Sequence, residues 1–274
     1  MTLKELQEPV LLPFTEFRDT YLQYAKGSVP LLDQVETYIA QKPGKQLRPL
    51  LLLLSARACN TLTPSHVQLA AAMELLHNAT LMHDDVVDES DTRRGQDSVR
   101  HHWSNQVAVL CGDYYLAQVM LILQKVGRPE VTSRVTQTVA TMCQGELKQL
   151  GLVSQENIST DNYLNVIGSK TASLMALCCE LGAMNLADDY SDNSMCGTMH
   201  DFGYNYGITF QIRDDVLDSL SPHDISFPTA FNPQDMIEEY TERANRALLN
   251  LSPSRAKEAL SKLLLPSAPH PTNT

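Results

Sequence analysis

The stretch Asp84-Asp85-Val86-Val87-Asp88 is repeated almost unchanged as Asp214-Asp215-Val216-Leu217-Asp218. Each copy lies in apolar, helix-compatible sequence, and residues i and i+4 of a helix share a face. Asp84 and Asp88 therefore project together, as do Asp214 and Asp218, with Asp85 and Asp215 beside them. Carboxylates on one face need cations, and two such faces across a cavity would form a cage of oxygen ligands. Mg²⁺ suits this cage, because it binds a few carboxylates, several waters and substrate phosphates.

Length and composition limit the fold class. The 274 residues are enough for one large domain or two ordinary ones, and no long Ser, Gly or Pro run divides them. A hydrophobic fraction of 43% suffices for a sizeable core, while the 6% aromatic content and the scarcity of alternating patterns favour helix over strand. We therefore predict an all-α protein, with a single helical domain over residues 1–265 and a polar, disordered tail over residues 266–274.

Start and stop signals divide the apolar sequence into helices. Thr63-Pro64 combines an N-cap with a proline at the first helical position, and the helix that begins there should pass His77 and end beyond Asp88. Gly151 is a suitable C-cap. The other predicted helices are approximately Leu3–Tyr24, Leu31–Ala40, Pro49–Cys59, Trp103–Val126, Pro129–Leu150, Ser159–Ala187, Asp192–Leu220, Gln234–Leu249 and Ser254–Leu265.

Charge, cysteine content and hydropathy narrow the function class. The net charge of −11 argues against broad nucleic-acid binding. The six cysteines form no CxxC and no metal-binding spacing, which favours reduced core thiols in a cytosolic protein. The N-terminal MTLKELQEPV lacks the apolar core of a signal peptide, and the apolar run Leu50–Leu54 is too short to span a bilayer. We predict a soluble, cytoplasmic protein without a transmembrane segment.

Basic residues follow and precede the first aspartate motif. Asp91-Thr92-Arg93-Arg94-Gly95 places two guanidinium groups just beyond the carboxylates, and guanidinium forks suit phosphate oxygens. Charge balance between Asp91 and Arg94 is the alternative. Gly44-Lys45-Gln46-Leu47-Arg48-Pro49 is a glycine turn that leads into a helix, and it indicates either a second anion pocket or plain surface charge.

Five other positions stand out within apolar helices. His77 lies two turns before Asp84 on the same face, where a phosphate contact would compete with an ordinary structural role. Gly145, in Gln144-Gly145-Glu146, costs about 1 kcal/mol relative to alanine, which indicates a close approach or a ligand. Lys170-Thr171 interrupts an apolar helix, and a lysine there requires an anion. Gln211 precedes Asp214 by three residues.

Together these segments resemble the trans-isoprenyl diphosphate synthases, the chain-elongating prenyltransferases. The resemblance runs in order from Gly44 to Asp218, about two-thirds of the chain, through GKxxRP, HNATLMHDDVVD, DTRRG, CGDYY, QGE, KTASL and FGYNYGITFQIRDDVLD. It implies an antiparallel helical bundle around a deep central cavity, the isoprenoid synthase type, usually in a homodimer. A heteromer is the alternative assembly.

The resemblance also implies roles for single residues. Mg²⁺ is the implied cofactor, with three ions per active site once substrate is bound, held on the diphosphate of an allylic primer by Asp84, Asp85, Asp88, Asp214, Asp215 and Asp218. The further residues of the allylic side are Arg93, Lys170, Thr171 and Gln211. The implied pocket for isopentenyl diphosphate consists of Lys45, Arg48, His77 and Arg94. The residues expected to carry catalysis are Asp84, Asp85, Asp88, Asp214, Asp215 and Lys170.

The implied reaction begins when the C–O bond of the primer ionises to an allylic cation and a diphosphate. Metal ions and basic residues stabilise the charge that develops on the leaving group. The double bond of isopentenyl diphosphate then attacks the cation, and a proton is lost, for which the departed diphosphate can serve as the base. A dry cavity protects the cation from water.

The resemblance implies that product length is set at Ala79 and Thr80, which precede Asp84 by five and four residues. Similar enzymes that stop early carry an aromatic floor there. A small Ala79 favours an open tunnel and a medium- or long-chain product. The alternative is that Ala79 only packs against a neighbouring helix.

Three departures from the family pattern leave other functions open. Pro43 and Gln46 replace the usual glycine and arginine, Ser219–Ala230 contains no lysine, and the chain after Phe231 looks shortened. These departures support a second hypothesis, a non-catalytic regulatory subunit of a heteromeric prenyl diphosphate synthase. A third hypothesis is a terpene cyclase or a head-to-head condensing enzyme, which usually has a different second metal motif and lacks Arg-Arg-Gly after the first.

Overall fold

The computed structural model describes residues 2–152, 158–187, 194–217, 227–228 and 231–265. Within these ranges the chain is almost entirely helical. The helices are α1 Leu3–Gln7, α2 Leu11–Ala25, α3 Pro30–Ala40, α4 Leu47–Ala58, α5 Pro64–Val87, α6 Val99–His102, α7 Asn105–Val126, α8 Pro129–Leu152, α9 Thr160–Ile167, α10 Ser173–Ala183, α11 Met195–Leu217, α12 Pro233–Leu248 and α13 Arg255–Leu263. A 3₁₀ turn, Glu8–Val10, joins α1 to α2, and a π-helical turn, Gly168–Ala172, joins α9 to α10.

One short hairpin interrupts the helices of this description. Strand β1 (Thr92–Arg93) pairs antiparallel with β2 (Gln96–Asp97), and Arg94-Gly95 forms the two-residue loop between them. Arg94 and Gly95 have φ angles of +55° and +71°, as a type I′ hairpin turn requires. The all-α prediction is confirmed, because these strands are only two residues long each.

Helices α4 and α10 form the interior of the bundle. Leu50–Leu54 of α4 are fully buried, and so is essentially all of residues 174–183 on α10. The two helices pack on each other, and α11 packs along α10. Such uniformly apolar helices belong in the centre of a layered bundle. The run Leu50–Leu54 therefore belongs to a helix of the protein core.

The long helix α5 carries the first aspartate motif at its C-terminal end and packs on α2, α4 and α7. Its N-terminal end is fixed by His66, which is fully buried. The backbone N–H of Thr63 donates to His66 Nδ1 at 3.1 Å, and His66 Nε2 lies 3.0 Å from the carbonyl oxygen of Met184. These contacts tie the start of α5 to the chain just after α10.

Several predicted boundaries differ from the observed ones. The predicted helix Ser159–Ala187 is divided by the π turn and ends at Ala183, and Trp103 precedes rather than begins α7. The prediction that Gly151 caps α8 was wrong, since the helix continues to Leu152. Helix α5 ends at Val87, with Asp88 as its C-cap. The predicted helix start at Asp192 and the predicted tail, residues 266–274, lie outside the described residues.

Two helical stretches, Asn105–Val126 and Thr160–Ala183, have the length and apolar composition of a membrane span. The second stretch is mostly buried within the bundle. The first, α7, buries one face on α5 and exposes the other, which carries Val109, Leu110, Met120 and Leu121. Burial explains the composition of the second stretch, and the exposed apolar face of α7 requires a separate explanation.

Candidate active site

The first aspartate motif occupies the last turn of α5. Asp88 N–H donates to the carbonyl oxygen of Asp84 at 2.8 Å, so the two residues are one helical turn apart. Burial raises the pKa of Asp84 to about 7; the charges of Glu146 and Asp88 act in the same direction and that of Lys170 opposes them. Asp84 and Asp88 thus form a carboxylate pair beside a third acidic residue and a lysine.

Lys170 faces this pair from the π-helical turn. Its Nζ lies 2.6 Å from Glu146 Oε1 on α8. Burial alone would lower the pKa of Lys170, but the carboxylates of Glu146 and Asp84 raise it, so the ammonium remains charged. A cation held between acidic groups is the arrangement expected where a polyanion and its metal ions bind.

Gly145 allows α8 to approach the π turn. A Cβ atom at Gly145 would lie 2.8 Å from Ser169 Cβ and 3.1 Å from Lys170 N. The close approach predicted from the sequence is therefore confirmed. π turns occur often at functional sites, and this one positions Lys170 and Thr171.

The second aspartate motif joins the same site through hydrogen bonds. Thr171 Oγ1 donates to Gln211 Oε1 at 2.8 Å, and Gln211 Nε2 donates to Asp215 Oδ1 at 2.7 Å. The hydroxyl of Tyr163 on α9, which is fully buried, donates to Asp215 Oδ2 at 2.5 Å. Lys170 and Thr171 therefore connect the carboxylates at the end of α5 with those at the end of α11.

The second aspartate of the first motif is held by the hairpin. Arg93 donates from Nε to Asp85 Oδ1 at 2.8 Å, and a second contact comes from Nη2. Asp85 is only 3% exposed, so this contact fixes β1 against α5. Arg93, expected on the allylic side, is thus bound to Asp85 in this structure.

A second basic region lies beside α5. The charges of Arg48, Arg94 and Arg93 all act on His77, which shows that these groups cluster. Burial, with those charges, lowers the pKa of His77 well below its usual value, so the imidazole is neutral. Lys45 stands at the exposed start of this region, in the loop before α4.

Arg94 is positioned by its backbone and by Gly44. Arg94 Nη1 donates to the carbonyl oxygen of Lys42 at 3.2 Å, and its guanidinium would lie 2.8 Å from a Cβ at Gly44. Gly44 has a φ of +72°, which glycine adopts without strain. The loop Pro43–Gln46 and the hairpin turn therefore bring the two basic motifs together.

The donor set fits Mg²⁺ completed by a substrate. No group of three or more His, Cys, Asp or Glu side chains that could hold a metal ion is found among the residues with a described position. Mg²⁺ commonly takes one or two carboxylates and fills its octahedron with waters and phosphates, which the pair Asp84 and Asp88 can support. Asp214 is half-buried beside Asp215, and Asp218 lies outside the described residues.

The two residues predicted to set chain length differ in burial. Ala79 is fully buried in the core, whereas Thr80 is partly exposed and shares a helical face with Asp84. The Thr80 hydroxyl donates to the carbonyl oxygen of His77 at 2.9 Å. A separate groove of about 420 Å³ between α8, α10 and α11 is lined by residues such as Arg134, Ser173 and His200, and by none of the predicted site residues.

Sequence reasoning did not assign a role to three side chains near the predicted site residues: Tyr163, Glu146 and Glu74. Tyr163 was not singled out, because it lies 52 residues from Asp215. Glu146 appeared in the sequence analysis only as the residue after Gly145, and its pairing with Lys170 was not predicted. Glu74, three residues before His77, is a buried carboxyl group within an apolar helix, and that placement was the signal that could have identified it.

The structure is an all-helical bundle in which aspartate-rich motifs stand at the ends of α5 and α11, and Lys170 and Thr171 lie between them. This combination is that of an isoprenoid synthase. The chain belongs to the polyprenyl synthetase family, whose model matches residues 29–226.

Individual relatives agree with this assignment. The chain is 37% identical over 195 residues to a decaprenyl-diphosphate synthase of Dictyostelium discoideum, which covers 71% of this chain and 42% of the relative. It is 33% identical over 201 residues to heptaprenyl diphosphate synthase component 2 of Bacillus subtilis, covering 73% and 56%. The chain thus spans about half the length of these curated relatives.

A solved structure confirms the fold. Polyprenyl synthase from Caulobacter crescentus, complexed with calcium and isoprenyl diphosphate, superposes with a TM-score of 0.87 over 96% of each chain. The sequence identity is 23%. At that identity the similarity establishes the fold.

Proposed function

We propose that this chain is a Mg²⁺-dependent, head-to-tail prenyltransferase that condenses isopentenyl diphosphate with an allylic diphosphate. The observation that carries the proposal is the position of Lys170. It pairs with Glu146 beside Asp84, and its neighbour Thr171 begins the hydrogen-bond chain to Asp215. A diphosphate bound there would meet one cation and two carboxylate walls.

The allylic diphosphate is proposed to bind at these walls. Bound Mg²⁺ would be held by Asp84 and Asp88 from α5 and by Asp214 from α11, with Asp85, Asp215 and Asp218 as the remaining predicted ligands, and would supply electrophilic stabilisation of the leaving group. Lys170 donates to diphosphate oxygens. The other proposed allylic-side residues, Arg93, Thr171 and Gln211, would do so after exchanging their present acceptors for the diphosphate. These donors stabilise the negative charge that develops as the C–O bond breaks.

Isopentenyl diphosphate is proposed to bind at the second basic region. Arg48 and Arg94 offer guanidinium forks, Lys45 a point charge and His77 a neutral N–H donor. The double bond then attacks the allylic carbon, and the departed diphosphate takes the proton lost from the new chain. The buried helices around the site keep water away from the cation.

A medium- or long-chain trans-polyprenyl diphosphate is the proposed product. The segment before Asp84 carries the small residues Ala79 and Thr80 and no aromatic group at these two positions. Both named curated relatives make products in this size range according to their names.

The test is an assay of the purified protein with Mg²⁺, isopentenyl diphosphate and allylic primers, read by product mass. We expect elongated diphosphates. Asp84→Ala and Asp214→Ala should each lower the rate at least about a hundredfold, equivalent to about 2.7 kcal/mol of lost transition-state stabilisation, with unchanged helical content. Asp201→Ala, at an exposed position of α11, is the matched control and should retain the rate. Near-normal rates for the first two variants would contradict the metal assignment, and hydrocarbon products would indicate a cyclase.

A non-catalytic subunit of a heteromeric synthase is the second candidate. The match to a protein named component 2 favours a heteromeric assembly, and Pro43 and Gln46, which depart from the family pattern in the first basic motif, are the argument against catalysis by this chain. In that case the purified chain alone would incorporate no isopentenyl diphosphate, and activity would appear on addition of a second subunit.

We propose a soluble, cytoplasmic homodimer that pairs through α7. Leu110 and Leu121 are exposed to 67% and 51% and lie three helical turns apart on one face, and Met120 beside them is 68% exposed. An apolar face of this kind commonly marks a protein interface, and a two-fold axis would match it with itself. The six free cysteines are consistent with a reducing compartment.

Light scattering tests the assembly. The wild-type chain should have the mass of a dimer, and Leu110→Glu with Met120→Glu should give a folded monomer. Leu12→Glu, at a leucine of α2 that is 69% exposed, should leave the dimer intact. A monomeric wild-type chain would reject this arrangement.

A further inference from the structure

Glu74 is a buried carboxyl group that the proposed reaction does not use. It lies on α5, three residues before His77, and is 2% exposed. Its Oε2 is buried without a hydrogen-bond partner within the described structure. A buried carboxylate is costly unless an opposite charge compensates for it. The function of Glu74 therefore depends on the charges that surround it.

Two guanidinium groups supply that compensation. Arg48 from α4 and Arg94 from the hairpin turn are the cations whose charges act on Glu74. Arg48 also has a buried Nε without a hydrogen-bond partner in the part of the chain described. Glu74 is thus buried near the two arginines that are proposed to hold isopentenyl diphosphate.

The other titratable groups that face Glu74 are neutral. Tyr21 comes from α2 and Cys178 from α10, and burial raises the pKa of each side chain. His77, on α5 itself, is neutral because burial lowers its pKa. The balance between Glu74 and the two arginines therefore decides the charge at the base of the pocket.

We propose, on the basis of the function proposed above, that Glu74 is the internal counter-ion of the isopentenyl diphosphate pocket: it balances Arg48 and Arg94 while the pocket is empty and takes up a proton when a diphosphate binds. The incoming anion replaces the carboxylate as the partner of the arginines and adds negative charge beside it. Both effects favour the neutral carboxylic acid. Glu74 thereby competes with the substrate and makes its affinity depend on pH.

The direction of this dependence follows from the free protein. Burial raises the pKa of Glu74 to about 7, against the opposing charges of Arg48 and Arg94. At pH 8 the group is mostly ionised, so binding takes up about one proton, whereas at pH 6 it is mostly protonated already. The affinity should therefore fall about tenfold from pH 6 to pH 8 beyond any change caused by the ligand's own ionisation.

Calorimetry of the full chain with isopentenyl diphosphate, without metal or primer, tests the proposal. Titrations at pH 8 in two buffers of different ionisation enthalpy give the number of protons taken up. We expect about one proton for the wild type and none for Glu74→Gln, which should bind about tenfold more tightly than the wild type at pH 8 and equally at pH 6. Ionisation of the ligand is common to both proteins and cancels.

Glu36→Gln is the matched control. Glu36 is also 2% exposed, but it accepts hydrogen bonds from Tyr115 and Tyr21 and does not face the arginines, so this variant should retain the uptake. The proton uptake of the wild-type chain tests the proposal even if a variant fails to fold. No proton uptake by the wild type, or equal uptake by Glu74→Gln, would overturn the role of Glu74 alone. Absence of binding by the wild type at pH 6 would overturn the proposed function as well.

Discussion

The second aspartate of each motif is held by a protein donor that lies outside the motif. Arg93 binds Asp85, and both Tyr163 and Gln211 bind Asp215. Donors of this kind orient carboxylates near a metal site. The sequence identified the aspartates because their spacing is local, but it could not identify Tyr163, because that contact exists only after α9 packs on α11. Asp85 and Asp215 as direct metal ligands remain a prediction.

Tyr163→Phe should remove the donor to Asp215 Oδ2 and leave the packing of the ring unchanged. We expect kcat/KM for the allylic diphosphate to fall about tenfold, near 1.4 kcal/mol, because the lost hydrogen bond is made to a charged group. The Mg²⁺ concentration for half-maximal rate should rise. Tyr114→Phe, which loses a 2.9 Å hydrogen bond to the carbonyl oxygen of Lys26, is the control and should keep wild-type kinetics. Unchanged kinetics in Tyr163→Phe would show that Asp215 does not depend on this hydroxyl.

Thr80 is the better of the two positions for changing product length. Thr80→Phe should shorten the product, since Thr80 shares the face of Asp84 and is partly exposed. Ala79 is fully buried, so Ala79→Phe should instead lower the stability of the fold by about 1–3 kcal/mol through overpacking. Product masses and thermal unfolding of both variants separate the two effects. A shorter product from a stable Ala79→Phe would reverse this assignment.

At the scale of elements, the sequence predicted helices well and their interruptions poorly. Long apolar stretches such as α4 and α8 were located within about two residues of their observed ends. The hairpin at Arg94-Gly95 was missed because its strands are too short to show an alternating pattern. The π turn at Gly168–Ala172 was missed because it arises from the approach of α8, which the local sequence does not encode.

Gly145 tests whether that approach matters. Gly145→Ala would place a methyl group 2.8 Å from Ser169 Cβ, so either α8 or the π turn must move. We expect a loss of about 1–3 kcal/mol in stability and a large loss of activity, because Lys170 moves with the turn. Gly151→Ala on the same helix would place its methyl group more than 4 Å from every described atom that could obstruct it, and should stabilise the protein by about 0.5–1 kcal/mol. Denaturant unfolding and the prenyltransferase assay measure both quantities, and equal behaviour of the two variants would contradict the steric argument.

At the scale of the whole molecule, the two ends of the described chain pack together. Helix α13 lies against α1 and α4, and Arg255 Nη1 lies 2.8 Å from Glu8 Oε1. The sequence predicted the helical class, because that class follows from composition and periodicity. It could not predict which helices become neighbours, since that depends on contacts between distant residues. We propose that residues 1–265 unfold as one domain, as expected from the sequence.

Buried His66 makes the stability of this domain depend on pH. Burial lowers the pKa of His66 to about 4 in the folded protein, whereas an unfolded histidine titrates near about 6.5. Below pH 6.5 the unfolded chain takes up a proton that the folded chain does not, so stability is full above that pH and falls between pH 6.5 and 4. The loss attributable to His66 should reach about 3 kcal/mol. His66→Gln lacks this titration. The difference in unfolding free energy between the wild type and His66→Gln should therefore shrink by about 3 kcal/mol from pH 7 to pH 4. A constant gap between wild type and His66→Gln would show that His66 is protonated equally in both states.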